Sequence, residues 1–145
     1  AKYRQVTGII QFDLTDPWPA VTWSVLDYWR KPKSAYESLR RSMQPVLPNF
    51  QFPKRIKPHR VTPIFFQVVN DLEAIYPATT CAWNLSNETG ILASATFKVD
   101  IPADSISVKK KIKFPGLEPG SYKLNVNLDS GTTRLGQNQY EFVVD

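Results

Sequence analysis

The sequence predicts a mainly β protein, an immunoglobulin-like β-sandwich preceded by a strand-loop-helix unit, and three observations carry that expectation. From Thr62 onward apolar and polar residues alternate, as in Tyr122, Leu124, Val126 and Leu128, so that one side of each extended segment turns inward. Turn-forming clusters at Asn70-Asp71, Asn87 to Gly90, Pro102 to Asp104, Pro115 to Pro119 and Asp129 to Gly131 cut the region into short lengths. Before about residue 50 the grammar differs: an apolar run, a Pro-Trp-Pro turn and a helical spacing follow one another.

In order along the chain, Lys2 to Gln5 reads as the polar end of a preceding helix and Val6 to Leu14 as a largely buried strand. Thr15 to Pro19 then turns the chain. Pro32, a Ser34-x-x-Glu37 capping box and the spacing Tyr36, Leu39, Met43 predict a helix over 31–44, stopped by Pro45 and Pro48. Residues 1–48 therefore form one unit. A basic, proline-rich linker is expected over 49–60, and the sandwich over 61–145. Its candidate strands are Thr62 to Asn70, Thr79 to Ser86, Leu92 to Asp100, Ser105 to Phe114, Gly120 to Leu128 and Gln139 to Val144. Trp83 is expected to fill the core.

Composition bounds the function. At 145 residues and 42% hydrophobic the chain can build one sizeable core. A single cysteine, Cys81, forbids an internal disulfide, and as it alternates inward it is expected to be a buried, inert thiol. His59 is the one histidine and has no second ligand at metal spacing, so neither metal nor other cofactor is expected. No apolar stretch approaches the ~20 residues of a membrane-spanning helix. The net charge of +5 comes largely from Lys54, Arg55, Lys57 and Arg60 and from Lys109, Lys110, Lys111 and Lys113. The second cluster interleaves with Val108, Ile112 and Phe114, which puts lysines on the wet face or edge of a strand. Nucleic-acid binding would want more aromatics among those charges, so no nucleic-acid partner is expected.

Gln11 to Tyr28 (QFDLTDPWPAVTWSVLDY) carries the functional signal. Tryptophan beside a proline-locked turn suits a sugar-binding mouth, because a flat ring lies against the apolar face of a pyranose while carboxylates take its hydroxyls. The longer run Gly8 to Pro48, with Thr15-Asp16-Pro17-Trp18-Pro19, Ser24-x-x-Asp27-Tyr28 and Lys31-Pro32-x-x-Ala35-Tyr36, resembles the last strand, loop and helix of the (β/α)8 barrel in glycoside hydrolase family 2. It is especially similar to the β-mannosidase and exo-β-glucosaminidase branch. Val68 to Asp71, followed by Trp83 to Leu85, is similar to the opening of the immunoglobulin-like domain behind that barrel.

The resemblance implies a retaining β-glycosidase, in which one glutamate protonates the leaving oxygen and a second, about 5 Å away, attacks the anomeric carbon. In the family both come from earlier barrel strands. Glu37, Glu73, Glu88, Glu118 and Glu141 fall elsewhere, so the chain is expected to be a fragment that hydrolyses nothing alone and meets its carbohydrate substrate through the rest of a barrel. By the same resemblance Trp18 walls the terminal sugar's subsite, the alternative being packing at the barrel bottom or on the next loop. Asp16 either bonds a sugar hydroxyl or orients a neighbour, or merely caps the Pro17 turn. Asp13 stands where the family usually has glutamine or methionine; it either reads an amino or hydroxyl group inside the barrel or pairs with an arginine before residue 1. Trp23 is expected to pack and Asp27 to be a structural hydrogen-bonder. Asn84-Leu85-Ser86 and Asn87-Glu88-Thr89 fit the glycosylation acceptor pattern.

Two classes of function stand open: the end of a glycosidase whose sandwich braces the barrel, and an autonomous sandwich module binding carbohydrate or protein. The fragment reading adds one physical expectation. Val6 to Val25, built to be covered, would expose a large apolar patch, pack irregularly against the sandwich, or drive dimerisation.

Overall fold

The computed structural model describes residues 10–53, 55–107 and 109–145. The chain divides into two compact units, Ala1–Gln44 and Pro45–Asp145.

The second unit is a β-sandwich of two antiparallel sheets. Its strands are β1 (Val46–Gln51), β2 (Thr62–Asn70), β3 (Tyr76–Asn87), β4 (Gly90–Ile101), β5 (Ser105–Ile106), β6 (Lys110–Phe114), β7 (Gly120–Ser130) and β8 (Thr133–Val144). One sheet places β2 between β1 on one side and β5 with β6 on the other, and the second runs β4-β3-β7-β8. Alternate residues supply the core, as Leu124, Val126 and Leu128 of β7 do against Ile64, Phe66 and Val68 of β2. Trp83 is buried in β3 as expected, its ring 5.6 Å from Phe114 and 6.3 Å from Phe50. Two-residue turns close both long hairpins. In the second, Gly131 takes φ 58, a conformation that a β-carbon would strain.

The expected linker at 49–60 is corrected by β1. Val46, Pro48 and Phe50 point inward with period two, and β1 pairs antiparallel with β2 from Val46 opposite Asn70 to Gln51 opposite Phe65. The prolines suggested a helix stop and a spacer, but β1 is the edge of its sheet, where a residue without an N–H costs no ladder bond. Beyond β1 two further residues are drawn inward and one backbone bond anchors the chain: Ile56 joins the core, Phe52 lies against it, and the His59 amide donates to the Leu117 carbonyl at 2.7 Å. The sandwich thus begins at residue 45.

A second difference is the split of the expected strand Ser105 to Phe114. Ile106 stands opposite Val69 and Lys110 opposite Phe66, so β5 and β6 pair with different parts of β2. Ser107 follows β5 and stays bound to β2, its amide donating to the Val68 carbonyl at 2.9 Å and its hydroxyl accepting from the Val68 amide at 2.8 Å. Lys110, Lys111 and Lys113 of β6 are exposed, the expected placement for lysines on an edge strand.

The sheets are tied at their margins by side chains. Tyr140 Oη accepts from the Phe50 amide at 3.0 Å and donates to Asn49 Oδ1 at 3.2 Å, while Asn138 Nδ2 donates to the Pro48 carbonyl at 3.1 Å. β8 is thereby fastened to β1 across the open edge. Tyr122 Oη donates to the Glu118 carbonyl at 2.8 Å, the corner that fixes the entry of β7 in immunoglobulin-like sandwiches. Buried Asn70 joins two loops, donating to the carbonyls of Ala74 (2.9 Å) and Pro102 (2.8 Å).

In the first unit the described residues form one short helix, α1 (Tyr36–Ser42), and extended segments joined by bridges between Thr15 and Leu26 and between Leu26 and Pro32. The expected strand Val6 to Leu14 lies partly outside the described residues. Over its described part, residues 10–14 form no strand, and Ile10, Phe12 and Leu14 are exposed. A barrel strand needs a neighbour on each side, which this unit does not offer them. The helix starts five residues later than expected. Lys33 N donates to the Val25 carbonyl at 2.9 Å and Pro32 bridges Leu26, which hold 31–33 extended and leave Ser34 outside any capping contact with α1.

Candidate functional site

Alternation places Thr22, Ser24 and Leu26 on one side of an extended segment, and the chain reversal at 17–21 brings that side onto Asp16. Backbone bonds frame the site: Leu26 N donates to the Leu14 carbonyl at 2.9 Å and Asp16 N to the Leu26 carbonyl at 3.1 Å. Within this frame Asp16 is buried, with its carboxylate fully covered. Oδ1 accepts short hydrogen bonds from Thr22 Oγ1 and Ser24 Oγ. Oδ2 faces Lys33 Nζ at 2.7 Å, and a rotating ammonium group can turn a proton to it at that distance.

Lys33 completes the clasp. Its Nζ also donates to Ser24 Oγ at 2.9 Å and to the Thr22 carbonyl at 3.3 Å, beside the ion pair with Asp16 Oδ2. The ammonium beside Asp16, helped by the Ser24 and Thr22 hydroxyls, holds the carboxyl at about 2, below its ordinary 3.8. Asp16 is therefore a permanent anion at neutral pH. Its oxygens are directed to the protein's own donors.

The clasp leaves the aromatics outside. Trp18, between Pro17 and Pro19, is 61% exposed, and Trp23 is 79% exposed where packing was expected. Residues alternate across the strand, so drawing Thr22 and Ser24 inward turns Trp23 out. Val21, Thr22 and Trp23 line a recess of about 320 Å³. Asp13, three residues before the clasp, is exposed at φ 56, a left-handed conformation that aspartate tolerates better than most residues. Asp27 is the structural bonder expected of it, with Oδ1 accepting from the Lys31 amide at 2.8 Å across a turn in which Arg30 takes φ 62.

Of the three residues the sequence proposes for sugar contact, the structure gives Asp16 an internal role and leaves Trp18 and Asp13 accessible. Lys33, Thr22 and Ser24 were not anticipated. The signal was the polar alternation Thr22, Ser24 inside an otherwise apolar segment, followed by a lysine locked behind Pro32.

Elsewhere, Cys81 is buried in the sandwich and burial pushes its thiol up to about 12, too high for a nucleophile. His59 is exposed and stands 3.2 Å from Glu118. All five glutamates are exposed, on α1, in loops or on β8. Among the described residues no three of histidine, cysteine, aspartate and glutamate gather as metal ligands. The sandwich carries its own groove of about 470 Å³, bordered by Asn87, Glu88, Lys123 and Glu141. Its charged members are exposed, and Lys123 and Glu141 face one another at 3.7 Å.

No known protein-family model matches the chain. A stretch of 43 residues is 37% identical to β-mannosidase B of Aspergillus niger, and 39 residues are 41% identical to β-mannosidase B of Thermothelomyces thermophilus. These stretches are 30% and 27% of the chain and about 5% of each relative's length. In fold the chain is similar to the CARDB domain of the PF1109 protein of Pyrococcus furiosus, solved in complex with di-metal ions, with a TM-score of 0.52 at 12% identity over 69% of this chain and 87% of that one. That likeness concerns the sandwich architecture alone.

Proposed function

We propose that the chain is the C-terminal portion of a retaining β-glycosidase acting on terminal β-linked sugars, mannosides first, with glucosaminides or galactosides as the alternatives. In this reading the immunoglobulin-like domain is an accessory domain that braces the catalytic barrel, and glycoside hydrolase family 2 is the parent family. The observation that carries the proposal is the loop itself: a buried, ionised Asp16 clasped by Thr22, Ser24 and Lys33, with Trp18 held exposed between two prolines. The β-mannosidase similarity, 39 to 43 residues long, supports the same reading.

Trp18 then walls the subsite for the terminal sugar, its ring lying against the pyranose. Asp16 serves that wall by shaping the loop. Asp13 is a candidate for polar contact with the sugar at the same mouth. The acid and the nucleophile are supplied by other strands of the longer enzyme, so the chain by itself hydrolyses nothing.

Kinetics on the complete enzyme with a 4-nitrophenyl β-mannoside test this. Trp18→Ala should lower kcat/KM by roughly 10- to 100-fold. A change within about twofold would exclude the sugar-wall role. The groove bordered by Asn87 and Glu88 is the feature that would serve an autonomous module. Calorimetric titration of oligosaccharides into the isolated chain separates that reading, which requires measurable affinity, from the bracing role, which requires none.

A further inference from the structure

Lys33 lies beyond the loop, at the threshold of α1, and is only 27% exposed in its side chain. Lysine normally keeps its ammonium in water, because burying a charge without partners is costly. Here the charge is met on three sides: by Asp16 Oδ2 at 2.7 Å, Ser24 Oγ at 2.9 Å and the Thr22 carbonyl at 3.3 Å. Those acceptors come from the two arms of the loop. Asp16 begins the Pro-Trp-Pro turn, and Thr22 and Ser24 end it.

A compact, three-proton cation suits this task. The guanidinium of arginine is planar and forked, and cannot direct donors to three points around one centre. With the ammonium removed, Asp16 Oδ2 would be a covered carboxylate oxygen facing no cation, and the Thr22 carbonyl would lose a donor. The arms would then be free to part. The backbone bond from Asp16 N to the Leu26 carbonyl would be the next to yield.

We infer that Lys33 is a positioning residue for the reaction: it fixes the separation of the loop's two arms and so the placement of Trp18 at the sugar. Trp18's part in this rests on the function proposed above; the clasp itself does not. Beside the backbone bonds that tie 31–33 to Val25 and Leu26, this side chain joins the start of α1 to both arms of the loop, so a change at the helix threshold reaches the mouth without touching substrate.

Two readouts on the complete enzyme keep these apart. Hydrogen exchange at the amides of Asp16 and Leu26 reports the clasp without any sugar. Lys33→Met should raise exchange there by at least about tenfold while amides of the sandwich are unchanged, and Lys33→Arg should fall between. Steady-state kinetics report the consequence. Lys33→Met should lower kcat/KM by roughly 10- to 100-fold, and adding it to Trp18→Ala should cost little more than Trp18→Ala alone, because both act through one ring. Unchanged exchange at Asp16 and Leu26 would overturn the clasp. A double variant that loses the full product of the two single effects would overturn positioning through Trp18. If Trp18→Ala alone has no effect while exchange responds to Lys33→Met, the sugar-wall proposal fails and the clasp stands.

Discussion

Asp16 shows how one carboxylate organises eighteen residues of a strandless segment, from Leu14 to Lys31, by choosing internal partners. Its folded pKa of about 2 lies below the ordinary 3.8, so the bonds to Lys33, Ser24 and Thr22 contribute fully above pH 3.8 and are lost as pH falls through about 2. An acid titration followed by tryptophan fluorescence should show a transition in that window, arising from Trp18, Trp23 and Trp29. Asp16→Asn should abolish it, since an amide has no proton to gain, and should leave the loop already altered at pH 7. The sequence alone named Asp16 and Trp18, because aspartate before a Pro-Trp-Pro turn is chemically distinctive. It did not give the inward turn of Thr22 and Ser24 or the exposure of Trp23. Those follow from an isolated bridge, Thr15 with Leu26, that has no local signature.

At the scale of elements the strands of the sandwich were legible because their periodicity is two and their turns are rich in Gly, Pro, Asn and Asp. β2 falls on the expected span, and β3, β4, β7 and β8 extend theirs by two to six residues. β1 was hidden by Pro45 and Pro48, whose tolerance at a sheet edge depends on neighbours that sequence does not show. The helix was overextended for a related reason: a capping box is a local preference, and pairing of 31–33 with Val25 and Leu26 overrides it. The β1–β8 margin gives a sharp prediction. A β-carbon on Gly136 would stand 2.1 Å from the Val46 carbonyl oxygen, a contact that only movement of backbone can relieve. Gly136→Ala should therefore destabilise the sandwich by about 1–3 kcal/mol in urea unfolding, whereas Gly90→Ala meets no neighbour and should be limited to its backbone strain.

At the scale of the whole molecule the two units differ in kind. The sandwich has a continuous core, from Val46 to Val144, of residues almost fully removed from water. Among its described residues the first unit buries only Asp16, Ser24 and Val25, and leaves Ile10, Phe12, Trp18, Val21, Trp23 and Trp29 exposed. Such a run of apolar surface seeks a cover, which under the proposed function is the remainder of a barrel. The isolated chain should associate as concentration rises, detected by light scattering, and lose that tendency when Phe12 and Trp23 are changed to serine; a strictly monomeric chain would contradict the need for a cover. The most direct test is a crystal structure of the complete enzyme with a mannose-like inhibitor. The Trp18 ring should lie in van der Waals contact with the face of the terminal sugar, with Asp16 still clasped by Lys33. An inhibitor bound with Trp18 turned away from it, or held on the sandwich domain, would contradict the proposed function.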